Sequence, residues 1–171
     1  MMKTVQNLLF TMMVLVIMIS VSSCGAGSGS TDVAQKYTFP SALPADAPVS
    51  EVVINGNDQM RYDKEVLTVK SGSRVKLTLN HAGKISKEAM GHNVVILQKG
   101  VDLEAYASAA MKASGSGYIP EGDEAIAYTR MIGGGQSTTI RFDAPAPGTY
   151  EFVCTYPGHS LIMKGKFIVE E

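Results

Sequence analysis

The sequence has 171 residues but only two cysteines, three histidines and no tryptophan, and it contains no run of basic residues. Phosphate binding requires a concentrated basic surface, so this composition and the net charge of −1 argue against a nucleic-acid partner. The chain also lacks an internal repeat. Its length and its apolar content of 45% indicate one folded domain of ordinary size.

The first 23 residues are predicted to be a lipoprotein signal peptide. Lys3 is followed by an apolar run from Leu8 to Ser20 that is too short to span a bilayer comfortably as a permanent helix. The run ends at "VSSC", which resembles the bacterial lipobox, in which the cysteine is lipidated. The alternative is an ordinary secretory signal with a chance cysteine at its end. We expect Cys24 to anchor an exported protein to a bacterial membrane, facing the periplasm or the cell exterior.

A tether and a domain are predicted after the signal. Residues 24–48 are rich in Gly and Ser and then in Pro, which is typical of a flexible stalk, and residues 49–171 form the domain. If Cys24 carries the lipid, Cys154 is the one free thiol of an exported protein. Such a thiol needs protection or a role, and metal binding would supply both.

The hydrophobic pattern of the domain is mostly of period two. In "RVKLTLN", the apolar residues Val75, Leu77 and Leu79 alternate with polar ones. "TIRFD" and "TYEFVC" show the same alternation, and segments rich in Gly, Ser and Pro separate these runs. The exception is Val101–Ser114, which is Ala-rich and lacks β-branched residues after its first position, so it predicts a helix. The expected fold is all-β, a small antiparallel β-sandwich with one inserted helix.

The stretch "EFVCTYPGHSLIMKG" places Cys154, His159 and Met163 within ten residues. Thiolate, imidazole and thioether are soft ligands that select copper or zinc. Cys154 ends a predicted strand on its inward face, so the spacing lines one loop at the end of the sandwich. His92, where another loop enters a buried strand, can supply the fourth ligand. Two imidazoles, one thiolate and a weak methionine form the ligand set of blue-copper electron-transfer sites.

Other interpretations of these residues are open at this stage. A structural zinc site usually contains paired cysteines, and methionine is a poor zinc ligand. A Cys–His catalytic dyad normally joins residues distant in sequence, and no third orienting group is evident beyond Asn93. Considered alone, His92 is typical of a core histidine and Met163 of a core filler.

Three segments, "NHAGKISKEAMGHNVVIL", "YTRMIGGGQSTTIRFD" and "FVCTYPGHSLIMKG", are similar in order and spacing to azurin, a family of bacterial cupredoxins. The similarity spans Glu51 to Val169. It implies a cupredoxin-like fold, an antiparallel Greek-key β-sandwich with one inserted helix. It also implies one type 1 copper ion that cycles between Cu(I) and Cu(II). The implied equatorial ligands are His92, Cys154 and His159. The implied weak axial ligands are Met163 and the carbonyl oxygen of Gly91.

The resemblance also implies roles around the ligands. The backbone N–H groups of Asn93 and Tyr156 would donate to the Cys154 sulfur, and the Asn93 side chain would pin the ligand loop. His81 would be a buried histidine that does not bind the metal, and Val101–Ser114 would be a helical flap.

The sequence departs from azurins at several positions away from the ligands. It has no cysteines for the disulfide that azurins usually carry near the start of the domain. Val94 stands where they have a buried tryptophan, and Tyr156 stands where phenylalanine is common. The lipobox and stalk are closer to membrane-tethered relatives such as auracyanins. These departures affect stability and partner choice rather than copper binding.

The function implied is outer-sphere electron transfer, with no small-molecule substrate and no enzymatic activity. The edge of the His159 ring is expected to reach the surface. The apolar residues expected to surround it as a docking patch are Met90, Tyr156, Leu161 and Ile162. The expected partners are redox proteins such as cytochromes or copper/haem oxidoreductases. The alternative is a lipoprotein that buffers or delivers copper, but the five methionines after Cys24 are widely spaced and do not form the cluster that a copper carrier would need.

Overall fold

The computed structural model describes residues 37–171, so the signal peptide, Cys24 and the first part of the stalk lie outside the described residues. The strands of the described part are β1 (Tyr37–Thr38), β2 (Val49–Asn57), β3 (Arg61–Tyr62), β4 (Val66–Lys70), β5 (Arg74–His81), β6 (Val95–Leu97), β7 (Ala125–Tyr128), β8 (Ser137–Asp143), β9 (Gly148–Val153) and β10 (Lys164–Glu170). The helices are α1 (Lys87–Met90) and α2 (Leu103–Met111), and two 3-10 turns cover Ser114–Ser116 and His159–Leu161. None of the helices in residues 37–171 has the length and hydrophobicity needed to span a bilayer.

The strands form two five-stranded sheets, in the orders β1-β8-β5-β2-β3 and β4-β10-β9-β6-β7. The predicted β-sandwich with an inserted helix is therefore confirmed. Antiparallel pairing dominates, but β1 with β8, β2 with β5, and β4 with β10 are parallel. The β2–β5 pair is parallel because the chain leaves the first sheet to form β4 in the second and then returns in the same direction.

The alternating hydrophobic pattern places one face of each sheet in the core. In β5 every second residue is buried, as predicted for Val75, Leu77 and Leu79, and these side chains pack with Phe152 and Phe167 from the second sheet. Burial of such side chains contributes roughly 1.5–3 kcal/mol each to folding. The core thus fixes the two sheets against each other and holds the loops at their ends.

The outer face of the second sheet is covered by α2. Leu103 and Tyr106 pack on Val95, Leu97 and Val153, which explains why β6 is apolar on both faces. The helix begins later than predicted because the Asp102 side chain accepts the N–H groups at positions 104 and 105, an N-cap arrangement. It ends at Met111, earlier than predicted, and Lys112 is its C-cap residue.

The last twelve residues of the predicted stalk, 37–48, lie against the first sheet. β1 pairs with β8, and the Asp143 carboxylate accepts hydrogen bonds from the Ser41 hydroxyl at 2.6 Å and the Ala42 N–H at 2.7 Å. The Arg74 guanidinium donates to the Leu43 carbonyl at 3.2 Å. Asp143 and Arg74 thus form hydrogen bonds with polar groups of residues 41–43, so this part of the stalk is packed on the domain. A tether formed by the residues before it stays a prediction.

Candidate metal centre

Three of the predicted ligands, His92, Cys154 and His159, meet at one end of the sandwich, and Met163 lies farther along the loop that carries the last two. His92 lies just before β6, where it bridges to Ile132, and Cys154 follows β9 directly. His159 begins the second 3-10 turn, and Met163 precedes β10. The ligand atoms of His92, Cys154 and His159 all lie within 4.8 Å of one another. His92, Cys154 and Met163 are fully buried, and His159 is 2% exposed.

The loop from Cys154 to Met163 is closed by its own backbone. The Cys154 N–H donates to the Met163 carbonyl at 2.9 Å, and the Met163 N–H donates to the His159 carbonyl at 2.7 Å. Gly158 has φ 83°, a left-handed conformation that favours glycine and allows the sharp turn before His159. The spacing read from the sequence therefore places these three residues on a single tight loop.

One nitrogen of His92 is free to bind a metal. Its Nε2 lies 2.8 Å from the Asn57 carbonyl oxygen. A carbonyl only accepts, so Nε2 carries the proton and the lone pair is on Nδ1. That Nδ1 is buried and has no hydrogen-bond partner among the described residues. An unpaired buried polar atom requires an explanation, and a metal ion coordinated at Nδ1 provides one.

His81 lies beside this ligand but has no nitrogen to offer. Its Nε2 is 2.8 Å from the Met90 carbonyl oxygen, and its Nδ1 accepts the Gly83 N–H at 3.1 Å. Both ring nitrogens are thus engaged within the protein, and the side chain is buried. This geometry is consistent with the role of His81 as a buried histidine that does not bind the metal.

The Cys154 sulfur is surrounded by groups from both ligand loops. It lies 3.6 Å from His159 Nδ1 and 3.9 Å from the Gly91 carbonyl oxygen. The Asn93 side chain joins the loops, because its Nδ2 donates to Thr155 Oγ1 at 2.8 Å and its Oδ1 accepts the Thr155 N–H at 2.9 Å. The two strand ends that carry His92 and Cys154 are therefore held together by a pair of buried hydrogen bonds.

Burial raises the pKa of the Cys154 thiol to about 11. Hydrogen bonds from the backbone N–H groups of Asn93 and Tyr156, and one with the Tyr62 side chain, act in the opposite direction. The metal-free thiol is thus protonated at neutral pH, and metal binding must release its proton. A buried thiol with a raised pKa is the opposite of a reactive nucleophile, which argues against a thiol enzyme.

Burial has the reverse effect on the two histidine ligands. It lowers the pKa of His159 to about 4, with a further contribution from the neighbouring imidazoles of His92 and His81. Burial likewise lowers the pKa of His92. Both imidazoles are therefore neutral at physiological pH and can present a lone pair to a metal ion.

The β2–β3 hairpin supports the site, a role that was not predicted from the sequence. A Cβ at Gly56 would lie 2.7 Å from Cδ2 of His92, so only glycine allows the imidazole to pack this closely on β2. Asn57 holds Nε2 of the same ring, and the Tyr62 hydroxyl donates to the Asn93 carbonyl. The available signal was Gly56 itself, since a glycine within a strand often marks a close approach of another group.

The predicted docking residues gather beside the ligand loop. Leu161 is 75% exposed and Ile162 46% exposed, while Met90 and Tyr156 are half-buried. Met111, at the end of α2, is 52% exposed and shares a cavity of about 300 Å³ with Tyr156 and Leu161. The His159 ring, expected to reach the surface, is almost entirely covered.

The donor set fits copper better than the alternatives. One thiolate, two imidazoles and a buried thioether match the ligands of blue-copper sites, whereas a structural zinc site would need a fourth cysteine or histidine. Within residues 37–171 the metal-ligating group contains His92, Cys154 and His159 and no second cysteine.

Comparison with known proteins agrees with this geometry. Residues 49–170 match the family described as copper binding proteins, plastocyanin/azurin family. The azurin of Alcaligenes faecalis is 41% identical over 121 residues, which cover 67% of this chain and 94% of that protein. Outer membrane protein H.8 of Neisseria gonorrhoeae is 34% identical over 117 residues, which cover 66% of this chain and 63% of that protein.

Solved structures give the same result. Reduced auracyanin from Roseiflexus castenholzii matches with a TM-score of 0.64 and 36% identity, covering 71% of this chain and 97% of that one. The azurin Az-iso2 from Methylomonas sp. strain J matches with a TM-score of 0.65 and 30% identity, covering 71% and 98%. The chain therefore belongs to the plastocyanin/azurin family of copper-binding proteins, and its His92, Cys154 and His159 form a cluster that fits one type 1 copper ion.

Proposed function

We propose that this protein is a blue-copper electron carrier tethered to the exported face of a bacterial membrane. The observation that carries the proposal is the buried cluster of His92, Cys154 and His159, in which Nδ1 of His92 has no partner among the described residues. Copper bound there would supply a one-electron couple between Cu(I) and Cu(II). The axial roles of Met163 and the Gly91 carbonyl are part of the proposal.

Burial of the ligands supports electron transfer over catalysis. Cys154 and Met163 are fully buried, so a substrate has no direct route to an open coordination position. The hydrogen bonds that close the Cys154–Met163 loop and join Asn93 to Thr155 hold the ligands in one arrangement. Little needs to rearrange when an electron is gained or lost, which suits a carrier.

The apolar residues around His159 form the proposed docking patch, defined as Met90, Tyr156, Leu161 and Ile162. The centroids of the Tyr156 and His159 rings are 4.7 Å apart, so one residue of the patch contacts a proposed ligand directly. A small patch suits brief encounters, because transient redox complexes use modest interfaces. Partners of this kind are redox proteins such as cytochromes or copper/haem oxidoreductases.

The proposed location rests on the N-terminal sequence. "VSSC" ending at Cys24 supports acylation, and the stalk before Tyr37 would hold the domain off the membrane. The similarity to a protein named outer membrane protein H.8 is in keeping with an exported, membrane-associated chain.

Copper reconstitution tests this function. The metal-free full-length protein in detergent is titrated with Cu(II), and an intense visible thiolate-to-copper band is expected at one equivalent. Reduction by a cytochrome and reoxidation should then proceed repeatedly without loss of copper to a competing chelator. A protein that buffers or delivers copper would instead release the ion to the chelator within the same cycles. Absence of the visible band would contradict a type 1 copper site.

A further inference from the structure

Tyr62 links the β2–β3 hairpin to the segment that carries His92. Its hydroxyl donates a hydrogen bond to the main-chain carbonyl of Asn93, and in the sheet it pairs with Gly56. Its ring packs against Phe152 of β9 at a centroid distance of 5.7 Å. Tyr62 is thus held by both sheets, through the backbone pairing of β3 with β2 and through the contact of its ring with Phe152.

Asn93 is the residue through which this contact can reach the metal. Its N–H donates to the Cys154 sulfur, while its side chain forms the two hydrogen bonds to Thr155. Its carbonyl is the remaining polar group, and Tyr62 is the partner that holds it.

We propose that Tyr62 is a positioning residue of the copper site, whose hydroxyl holds Asn93 so that the Asn93 N–H stays directed at the Cys154 sulfur. The inference rests on the copper function proposed above. A hydrogen bond to the thiolate withdraws charge from sulfur and weakens its donation to Cu(II). Loss of the Tyr62 hydroxyl should therefore favour Cu(II) and lower the reduction potential.

The competing view is that Tyr62 only fills space in the core. Tyr62→Phe distinguishes a positioning role from a space-filling role, because it removes the hydroxyl and keeps the ring on Phe152. Tyr150→Phe is a matched control. The Tyr150 hydroxyl also donates to a main-chain carbonyl, that of Ala146 at 2.8 Å, and its ring is buried in the same core. Within residues 37–171, no hydrogen bond or ring contact joins the Tyr150 side chain to a predicted copper ligand.

The copper-loaded full-length variants are compared by voltammetry and visible spectroscopy. Tyr62→Phe is expected to shift the one-electron redox equilibrium toward Cu(II) by about threefold, which is about 28 mV at 59 mV per decade. The thiolate-to-copper band should move to lower energy, since sulfur becomes a stronger donor. Tyr150→Phe should match the wild type in both measurements.

Thiol labelling of the metal-free protein complements the voltammetry and the visible spectra. Site-resolved labelling of Cys154 by a thiol reagent, followed by mass spectrometry, should be faster in metal-free Tyr62→Phe than in wild type or Tyr150→Phe, because Asn93 is less constrained. An unchanged potential and band in folded Tyr62→Phe, or equal shifts in both variants, would overturn the proposal. Failure of the wild type itself to form the band would refute the copper function, whereas the labelling comparison still decides the role of Tyr62.

Discussion

The imidazole rings of His81 and His92 lie stacked, with centroids 4.2 Å apart and planes inclined by 15°. Their hydrogen bonds nevertheless give the two rings different capacities to bind a metal ion. Both nitrogens of His81 are engaged, whereas Nδ1 of His92 has no hydrogen-bond partner within residues 37–171. The partner of one ring nitrogen decides what the other can bind, so position alone does not make a histidine a ligand.

We therefore expect opposite results from two substitutions at the site. Cys154→Ser should abolish the visible band of the copper protein, because a hydroxyl cannot replace the soft thiolate. His81→Gln should keep most of the band, since the amide can still donate and accept near Met90 and Gly83. Absorption spectra of both reconstituted variants check this. A band in Cys154→Ser, or its loss in folded His81→Gln, would contradict the ligand assignment.

Gly56→Ala should disturb the site by displacing the His92 ring. The added methyl group would lie 2.7 Å from the His92 ring, so the imidazole or β2 must shift. We expect overpacking of this kind to cost about 1–3 kcal/mol of unfolding free energy and to weaken copper binding. Gly115→Ala is the control, because a Cβ there has no atom within 4 Å. Urea denaturation and copper titration measure both effects, and equal behaviour of the two variants would show that the close approach at Gly56 is unimportant.

The stability of the metal-free protein should fall as the pH is lowered from about 6.5 to about 4. The pKa of His159 is lowered from 6.5 to about 4 by burial, so across this window the unfolded chain binds a proton that the folded chain does not. The unfolding free energy then decreases by up to about 1.4 kcal/mol per pH unit. His92 contributes in the same direction, because its pKa is also lowered.

Denaturation of the metal-free protein at several pH values tests this dependence. His159→Gln cannot be protonated in this range, so its pH profile should be flatter, with the remaining slope arising partly from His92. Identical slopes for wild type and His159→Gln would show that His159 titrates normally in the folded chain.

Much of the site could be predicted because its signals are local in sequence. The spacing of Cys154, His159 and Met163 fixes one loop, and the alternating pattern of β5 fixes which residues face the core. The supporting contacts could not be predicted in the same way. Asn57 acts on His92 through a main-chain carbonyl that any residue possesses, from 35 positions away.

The packing of residues 37–48 on the domain could not be predicted for a similar reason. Prolines and small residues between positions 37 and 48 resemble a spacer, but a spacer and a segment fixed by remote side chains have the same composition. Its partner Asp143 lies 102 positions from Ser41. Such contacts depend on which strand forms the edge of the sheet, and the parallel pairing of β1 with β8 leaves no periodic signal.

The proposed anchor has a direct test in a producing bacterium. Metabolic labelling with a fatty acid should modify the protein through Cys24, and Cys24→Ala should release or misprocess it. One acyl chain gives only marginal membrane binding, so stable anchoring implies more than one. Fractionation of labelled cells measures both effects. Recovery of the unmodified wild-type protein entirely in the soluble fraction would refute the tether.

The side chain of Met163 is either a core filler or an axial ligand. The residue is fully buried, and its backbone closes the ligand loop through His159 and Cys154. Met163→Leu leaves that backbone in place and nearly conserves volume, so it should cost under about 1.5 kcal/mol of stability. A core filler would therefore be replaced with no change in the redox properties of copper.

An axial thioether predicts opposite shifts for two substitutions. Met163→Leu removes a donor that favours Cu(II), so the site should stay blue while its reduction potential rises. Met163→Gln supplies an oxygen donor that favours the harder Cu(II), so the potential should fall. A tenfold change in a one-electron equilibrium is about 59 mV, which voltammetry resolves readily. Met111→Leu removes a sulfur from the exposed end of α2 and should leave the potential unchanged. Superimposable potentials for wild type and both Met163 variants would show that Met163 is not a ligand.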